Sequence, residues 1–334
     1  MKESIFLIVE RNICVILIVS LLAALLYFHL INQNPELKEF FIPDKPSMNE
    51  YYIHKLRDCP EKVNPNVKFF MAIPYGDNLV SKNNLWNMVR GCSLSKDSLP
   101  KTYLLDNFYD NIKFNKNHND DKIYILKKNT HRKQGLQLFR GTKLAVLREY
   151  EEGQYKLIQE FIQNPYLVNN RIMVVRLYLV IFRNEKYNFG VHKYGKCLYT
   201  SKDFSMDKIE PDRLITDSKL KLGNDFPKNL EDMENYDKKI NLELLKKPIV
   251  NVLNCYRQFL KKTDDSTPNK SLTFFQLFGV DIILDSDYKP YLLEINKSPD
   301  MNNIYDEVDR EGKTAVIRDM KEFIDKGNSN FIFV

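Results

Sequence analysis

Apolar and polar positions alternate in short segments from about residue 67 onward, which predicts strands interleaved with amphipathic helices. KIYIL (122–126) and GLQLF (135–139) predict two strands joined by a polar loop. KLIQEFI (156–162) and VVRLYLVIF (174–182) predict two further strands. The second of these is apolar at nearly every position, so we expect both of its faces to be buried.

The C-terminal third predicts a hairpin and two helices. GVDIIL (279–284) and PYLLEIN (290–296) predict two strands connected across DSDYK. The segment 248–262 has the apolar spacing of a helix, and residues 306–326 combine alternating charge with spaced apolar residues. We expect the last segment to be a surface helix that closes the fold.

The N-terminal segment has a different pattern, because Ile13 to Ile31 is an unbroken apolar run. As a helix it would span about 28 Å, close to the thickness of the hydrocarbon core of a bilayer. A cleaved signal peptide is the alternative, but its apolar region would be shorter and would end in small residues. The run therefore predicts a retained single-pass transmembrane helix, whose orientation the flanking charges do not decide.

These patterns divide the chain into four parts. We predict an anchor over 1–32, a polar, proline-punctuated stalk over 33–66, and two lobes over 67–162 and 163–334.

Composition indicates a folded protein, since 43% of the 334 residues are hydrophobic and 28% are charged. The net charge of +6 suits an acidic partner or a phosphate ligand, although solvated surface charge explains it equally well. No two of the five cysteines form a CxxC pair, so a zinc site has no support. Cys14 lies in the N-terminal apolar run, and the other four could pair in an oxidising compartment, although nothing in the sequence requires it. We expect reduced, buried thiols; the four are Cys59, Cys92, Cys197 and Cys255.

The predicted hairpin contains the most informative polar residues. Asp281 lies inside an apolar strand, and Glu294 and Asn296 lie two residues apart on the next strand, so they share a face. If residues 285–290 form the connection, Asp281 lies directly opposite Glu294. Two carboxylates and an amide oxygen are ligands that Mg²⁺ accepts, whereas edge-strand residues facing water are the alternative.

The segment FFQLFGVDIILDSDYKPYLLEINKSPDM (274–301) resembles the signature of the tubulin–tyrosine ligase-like family. The resemblance implies an α+β architecture of the ATP-grasp type, in which two lobes hold ATP between them. It also implies that Asp281, Glu294 and Asn296 bind the Mg²⁺ ions that bridge the ATP phosphates.

Two other segments resemble the same family and imply nucleotide contacts. In YILKKNTHRKQGLQLF (124–139), a strand ends in Lys127 and a basic loop follows, with Arg132 and Lys133 able to close over phosphates. LIQEFIQNP (157–165) resembles the segment that holds the adenine edge at the hinge between the lobes. The implied adenine-binding residues are Gln159, Glu160, Phe161 and Ile162. A weaker resemblance in LITDSKL (214–220) puts Thr216 and Asp217 near the phosphates.

The strand at 171–176 departs from the family pattern, which has R-K-F-D-I-R. Arg176 is retained, and we expect this catalytic arginine to bind a transferred phosphoryl group. Ile172 and Val174 replace the family's Lys and Asp. Leu198 lies where another Arg is expected, with Lys196 as the nearest basic residue.

The resemblance implies a ligase that uses ATP and Mg²⁺ to form an amide bond, through an acyl-phosphate, between a free amino acid and a protein carboxylate. The implied acceptor is an acidic protein tail such as that of tubulin, and the need for ATP favours a cytosolic body on the membrane. The alternative is a membrane-tethered, catalytically impaired binding protein of the same fold. A nucleic-acid partner is not expected, because the basic loop has no aromatic stacking platform nearby.

Overall fold

A computed structural model describes residues 51–52, 69–93, 97–128, 135–183, 185–220, 222–262, 273–297, 299–301, 307–326 and 330–334. The predicted membrane anchor and most of the predicted stalk lie outside these residues, as do Arg132 and Lys133. Within the described ranges, no helix is both long enough and apolar enough to cross a membrane.

The described residues form an α+β fold with two sheets. The strands are β1 (Tyr51–Tyr52), β2 (Phe69–Phe70), β3 (Thr102–Tyr103), β4 (Tyr124–Lys127), β5 (Leu136–Phe139), β6 (Leu157–Glu160), β7 (Leu167–Val168), β8 (Arg171–Arg183), β9 (Tyr187–Tyr199), β10 (Thr273–Leu284), β11 (Pro290–Lys297) and β12 (Phe331–Phe333). The helices are α1 (Asp77–Val80), α2 (Lys82–Arg90), α3 (Phe108–Asn117), α4 (Lys143–Glu152), α5 (Pro211–Leu214), α6 (Leu230–Tyr236), α7 (Leu242–Leu245), α8 (Lys247–Lys262) and α9 (Glu307–Lys326).

The small sheet is antiparallel and has the order β3-β6-β4-β5. The large sheet has the order β1-β2-β10-β8-β9-β12, with β11 paired to β10 and β7 paired to β8. Only the pairs that involve β2 are parallel among these strands. The predicted strands at 122–126, 135–139, 156–162 and 174–182 are therefore confirmed as β4, β5, β6 and β8.

The predicted hairpin is confirmed, and so is the pairing of Asp281 with Glu294. The connection is one residue shorter than expected, because Leu284 pairs with Pro290. An irregularity next to Asp281, where Ile282 pairs with Leu292, restores the predicted register. A bulge of this kind adds a residue to one strand and re-aims the side chains beside it.

Strand β8 is buried on both faces, as its sequence predicts. On one face, Val175 and Leu177 join the core cluster, which is built with α8 and includes Leu253 and Tyr256. On the other face, Val180 and its neighbours join the α9 cluster, which contains Tyr178, Phe182, Phe275, Leu277, Met301, Val316, Ile317, Met320, Phe323 and Phe331. The two predicted C-terminal helices are thus confirmed, one on each face of the large sheet.

The expectation of reduced thiols is wrong for two of the cysteines. Cys92 and Cys255 form a disulfide whose Cα atoms are 5.9 Å apart. They are 163 residues apart in sequence, and only the packing of α2 against α8 brings them together. Among the described residues, Cys197 is a free and buried cysteine, as expected.

Residues 69–90 fall within the predicted first lobe, yet they contact the large sheet. Strand β2 pairs with β10, and α1 and α2 pack on β11 and α8 respectively. The small sheet, β3 to β6, is thus flanked in sequence on both sides by parts of the larger unit. The division of the chain at residue 162 remains a prediction.

Candidate active site

Four charged residues form a row across the large sheet. Glu294 on β11 pairs with Asp281 on β10, Asp281 pairs with Arg176 on β8, and Arg176 pairs with Lys196 on β9. Because directly paired residues point to the same face of a sheet, the four side chains lie side by side. Negative charge occupies one end of the row and positive charge the other.

Arg176 and Asp281 form a bidentate ion pair at the centre of this row. The Arg176 Nε lies 2.7 Å from Asp281 Oδ1, and Nη2 lies 2.8 Å from Oδ2. The charge of Asp281 raises the pKa of Arg176, so the guanidinium stays protonated. Burial raises the pKa of Asp281, and the nearby Glu294 carboxyl adds to that shift, whereas Arg176 opposes it.

Glu294 is held in its ionised form. Burial opposes its charge, but the Asn296 amide donates to Oε1 at 2.8 Å, and the charges of Lys127, Lys82 and Arg176 are close. Together these groups hold the pKa of Glu294 below its ordinary value. The Glu294 carboxyl faces Asp281 across the strand pair, and its charge adds to the rise in the pKa of Asp281.

This donor set fits a divalent cation. Two facing carboxylates repel each other unless a proton or a cation lies between them. Asn296 adds an amide oxygen, and Mg²⁺ prefers such hard oxygen ligands, with phosphates and water completing its shell. In the described part of the chain, no group of three or more His, Cys, Asp or Glu side chains is arranged to hold a metal, so a cation here depends on ligands of other kinds.

Gly279 explains why the row is compact. A Cβ atom at this position would lie 3.0 Å from the Pro299 Cβ and 3.5 Å from the Arg176 Cδ. The absence of a side chain therefore lets Pro299 and the stem of Arg176 pack directly over β10. The glycine of the G-x-D segment thus shapes the site through close packing.

Lys127 approaches the row from the small sheet. It is buried, and its Nζ donates to Gln159 Oε1 at 2.6 Å. Burial lowers its pKa to about 8, although the charge of Glu294 opposes that shift. Gln159 in turn donates to Thr102 Oγ1 at 2.9 Å, so the lysine rests on a buried hydrogen-bond chain.

The predicted hinge residues that follow Gln159 have mainly structural contacts. The Glu160 carboxylate accepts from Tyr103 at 2.9 Å and from Lys122 at 3.0 Å. The Phe161 N–H donates to the Ile123 carbonyl, and its ring lies 6.4 Å from that of Phe204.

The positions that depart from the family pattern come together in one buried apolar group. This inter-sheet cluster contains Ile123, Phe161, Ile172, Val174, Leu198, Leu214 and Ile283, with Ile162 packed against it. Ile172, Val174, Leu198 and Ile283 lie on the large sheet, and Ile125 and Leu138 of the small sheet pack against the cluster. Ile172, Val174 and Leu198 thus extend a hydrophobic contact between the sheets where the family pattern has charged residues.

Thr216 and Asp217 lie at the end of β9. Asp217 pairs with Tyr199, three residues along the strand from Lys196. The backbone N–H of Lys219 donates to Asp217 Oδ1 at 3.0 Å. The structure therefore places this pair beside the strand that carries Lys196, outside the charged row.

Two further charged groups near the site have no counterpart among the predicted residues. Lys82, the first residue of α2, lies within electrostatic reach of Lys127 and Glu294. Asp309 on α9 accepts from Lys196 at 2.8 Å and from Lys313 at 2.9 Å. Only the four-residue spacing of Asp309 and Lys313 gave a sequence signal, and that spacing is equally typical of a solvated helix face.

The chain matches a family model described as the tubulin-tyrosine ligase family over residues 74–326. A probable tubulin polyglutamylase of Caenorhabditis elegans is 26% identical over 245 residues, which are 68% of this chain and 58% of that protein. A probable alpha-tubulin polyglutamylase of Tetrahymena thermophila is 22% identical over 257 residues, 70% of this chain and 62% of that protein. A tubulin polyglutamylase of Danio rerio is 24% identical, with 68% of this chain and 32% of that protein covered. The chain thus spans less than two thirds of each of these relatives.

Proposed function

We propose that this chain, which belongs to the tubulin-tyrosine ligase family, is an ATP- and Mg²⁺-dependent ligase of the ATP-grasp type. The reaction joins an amino acid to a protein carboxylate through an amide bond. The observation that carries the proposal is the row Glu294–Asp281–Arg176, with Lys127 reaching it from the other sheet. Paired carboxylates beside buried cations are the parts that phosphoryl transfer requires.

Each residue of the row has a role that follows from its surroundings. Asp281, Glu294 and Asn296 would hold Mg²⁺, which, when bound with ATP, neutralises phosphate charge and orients the transferred group. Arg176 is kept in place by Asp281 and presents a fixed guanidinium, and Lys127 adds a second cation. These cations stabilise the negative charge that develops as the acceptor carboxylate is activated in an acyl-phosphate and then attacked by the amine.

The small sheet supplies the other wall of the nucleotide site. Gln159, Glu160, Phe161 and Ile162 connect it to the large sheet, and the inter-sheet cluster lies beside them. An apolar surface next to backbone groups at a strand end suits a planar base. We assign the phosphates to the side of the site that holds Lys127, and the proposed contacts of Thr216 and Asp217 rest on the family resemblance alone.

The acceptor we propose is an acidic protein segment, with tubulin as the first protein to test. The support is that the relatives are named as tubulin polyglutamylases and that the chain has a net charge of +6. The donor is a free amino acid, and the N-terminal apolar run would attach the enzyme to a membrane.

A second candidate function is a tethered binding protein that holds nucleotide without ligating. Its support is that Ile172, Val174 and Leu198 place apolar side chains where the family pattern has charged residues. Amide formation separates the two candidates, because a binding protein could hold Mg-ATP and still produce no ligated peptide.

The test is mass spectrometry of products. The full chain, purified in detergent, is incubated with Mg-ATP, isotopically labelled glutamate, tyrosine and glycine, and either tubulin or an acidic peptide. We expect one label to appear on an acceptor carboxylate, with ATP consumed in proportion. Glu294→Gln should slow labelling by on the order of 10²-fold, and Glu243→Gln, which changes an exposed ion pair with Lys246, should retain it. Failure of every amino acid on every acceptor, with Mg-ATP still bound, would favour the binding protein.

A further inference from the structure

Helix α2 begins beside the strand that carries Glu294 and Asn296. Just before it, Asp77 of α1 lies 3.2 Å from the Nζ of Lys297, the last residue of β11. Lys82 opens α2 five residues after Asp77 and lies within electrostatic reach of Glu294 and Lys127. The start of α2 is thus part of the wall around the carboxylate pair.

The segment that leaves α2 returns to the same strand. Cys92, two residues after the helix ends, is bonded to Cys255 on α8. Ser98 accepts from Asn251 of α8 at 3.0 Å, and its carbonyl accepts from the Leu292 N–H at 2.8 Å. Two links to α8, one of them covalent, therefore hold the exit of α2 next to β11.

α2 packs on α8 and on the core cluster through apolar side chains. It has nine residues and buries Leu85 and Val89. Its N-cap, Ser81, makes no side-chain capping bond to the helix. Helices this short have little stability of their own and depend on tertiary contacts. Trp86 donates to Asp110 at 2.7 Å, which ties α2 to α3 and the small sheet. The disulfide adds a covalent link to the packing of α2 against α8.

We propose that the Cys92–Cys255 disulfide is a positioning device that fixes α2, and with it Lys82, against the carboxylate pair of the proposed ligase site. The proposal rests on the proposed function for the identity of the ligand, which is the phosphate chain of Mg-ATP. Opening the bond by exchange with a reduced dithiol transfers two electrons and two protons to the pair and leaves two thiols. α2 then loses its covalent link to α8, and its first residue, Lys82, is held less firmly beside β11.

The experiment compares three forms of the full chain in detergent: the oxidised wild type, the wild type reduced with a dithiol, and Cys92→Ser/Cys255→Ser. Cys197→Ser is the matched control, since Cys197 is buried but free. Deuterium exchange of residues 82–90 is measured without nucleotide, and the Kd of Mg-ATP is measured by calorimetry. Reduction of the folded wild type tests the bond without changing the packing volume.

We expect faster exchange in α2 and a Kd for Mg-ATP raised roughly tenfold in both forms that lack the bond, as is typical when a supporting interaction is removed. In a Lys82→Ala background, loss of the disulfide should raise the Kd no further, because the two changes act through one contact. Unchanged exchange in α2 would overturn the positioning role. So would an unchanged Kd for Mg-ATP, which would leave the disulfide a link for stability alone. A wild type that does not bind Mg-ATP at all would contradict the proposed function, while the exchange data would still decide whether the bond orders α2.

Discussion

At the scale of single residues, burial decides the charge states on which the site depends. Lys127 is buried and has a pKa lowered to about 8, whereas Asp281 keeps Arg176 in its charged form. An arginine paired in this way is a permanent cation. A lysine with a pKa this close to neutrality is mainly a cation at pH values below its pKa and mainly neutral above it.

The first prediction concerns the pH dependence of nucleotide binding. Because burial lowers the pKa of Lys127 from 10.5 to about 8, its ammonium is charged below pH 8 and neutral above it. We expect the affinity for Mg-ATP to fall as pH rises from 7 to 9.5, measured by titration calorimetry. Lys127→Met keeps most of the side-chain volume and should bind Mg-ATP weakly at every pH in this range. An equal pH slope in both proteins would remove Lys127 from the phosphate site.

The same shift has a consequence for folding. Between pH 8 and 10.5 the unfolded chain holds a proton at Lys127 that the folded chain has lost. The free energy of unfolding therefore rises with pH across that window, because the unfolded chain binds one more proton at Lys127. The affinity for Mg-ATP falls across the same window. The opposite directions separate a binding role of Lys127 from a role in folding.

The residues of the charged row could be predicted from the sequence, whereas the residues packed around it could not. Asp281 and Glu294 were predicted to face each other because strands have a two-residue period and hairpins are short. Lys82 could not be predicted, since nothing in the segment that contains it indicates which strand its helix approaches. The disulfide was missed for a related reason, because a separation of 163 residues carries no pairing signal.

At the scale of elements, α2 connects the two sheets. Asp110 of α3 is almost fully buried, and it accepts hydrogen bonds from the Trp86 ring at 2.7 Å and from the Leu104 N–H at 3.2 Å. Arg90 lies 3.6 Å away and balances its charge. The link joins α2, which packs on α8, to α3, which packs on strand β3 of the small sheet.

The second prediction tests this link. Trp86→Phe removes the ring N–H and leaves one acceptor site of buried Asp110 without its donor. We expect the free energy of unfolding to fall by about 1–3 kcal/mol, the usual effect of an unsatisfied buried polar group. Urea unfolding followed by circular dichroism gives the value, since Trp86 is the single tryptophan. A change below about 0.5 kcal/mol, the size typical of a neutral surface substitution, would contradict a structural role for the link.

The bulge next to Asp281 shows why element boundaries are harder to predict than element types. Apolar runs at 279–284 and 290–296 predicted both strands, but no residue in them indicates an irregularity in the pairing. The predicted pairing of Asp281 with Glu294 holds because a shorter turn and the bulge offset each other. The two errors cancelled at the site, where a one-residue slip would have turned Glu294 to the opposite face.

At the scale of the whole molecule, the observed disulfide bears on where the body is located. The proposed use of ATP favours the cytosol, and that placement remains a prediction. Disulfides persist in oxidising compartments and are rare in the cytosol. Cys92 and Cys255 are both buried in the core cluster, as is typical of structural bonds.

The third prediction is that Cys92 and Cys255 are bonded to each other in intact cells. Free thiols are alkylated during lysis in denaturant, and disulfides are then reduced and given a second label for mass spectrometry. We expect the two cysteines to carry the second label and Cys197 the first. First-label modification of Cys92 and Cys255 in most of the protein would mean that the bond is absent in the cell, and would agree with a cytosolic body.

The most direct test of the account is thermal melting of the wild type and Glu294→Gln, each with and without Mg-ATP, alongside turnover. We expect Mg-ATP to raise the Tm of the wild type. Glu294→Gln should melt at a similar temperature without nucleotide, because it removes the repulsion from Asp281 together with the attraction of Lys127, Lys82 and Arg176. It should show no Mg-ATP shift and should lose turnover by on the order of 10²-fold. A wild type without a Mg-ATP-dependent shift, or a destabilised Glu294→Gln that keeps the shift, would contradict the assignment of Asp281 and Glu294 as the metal site.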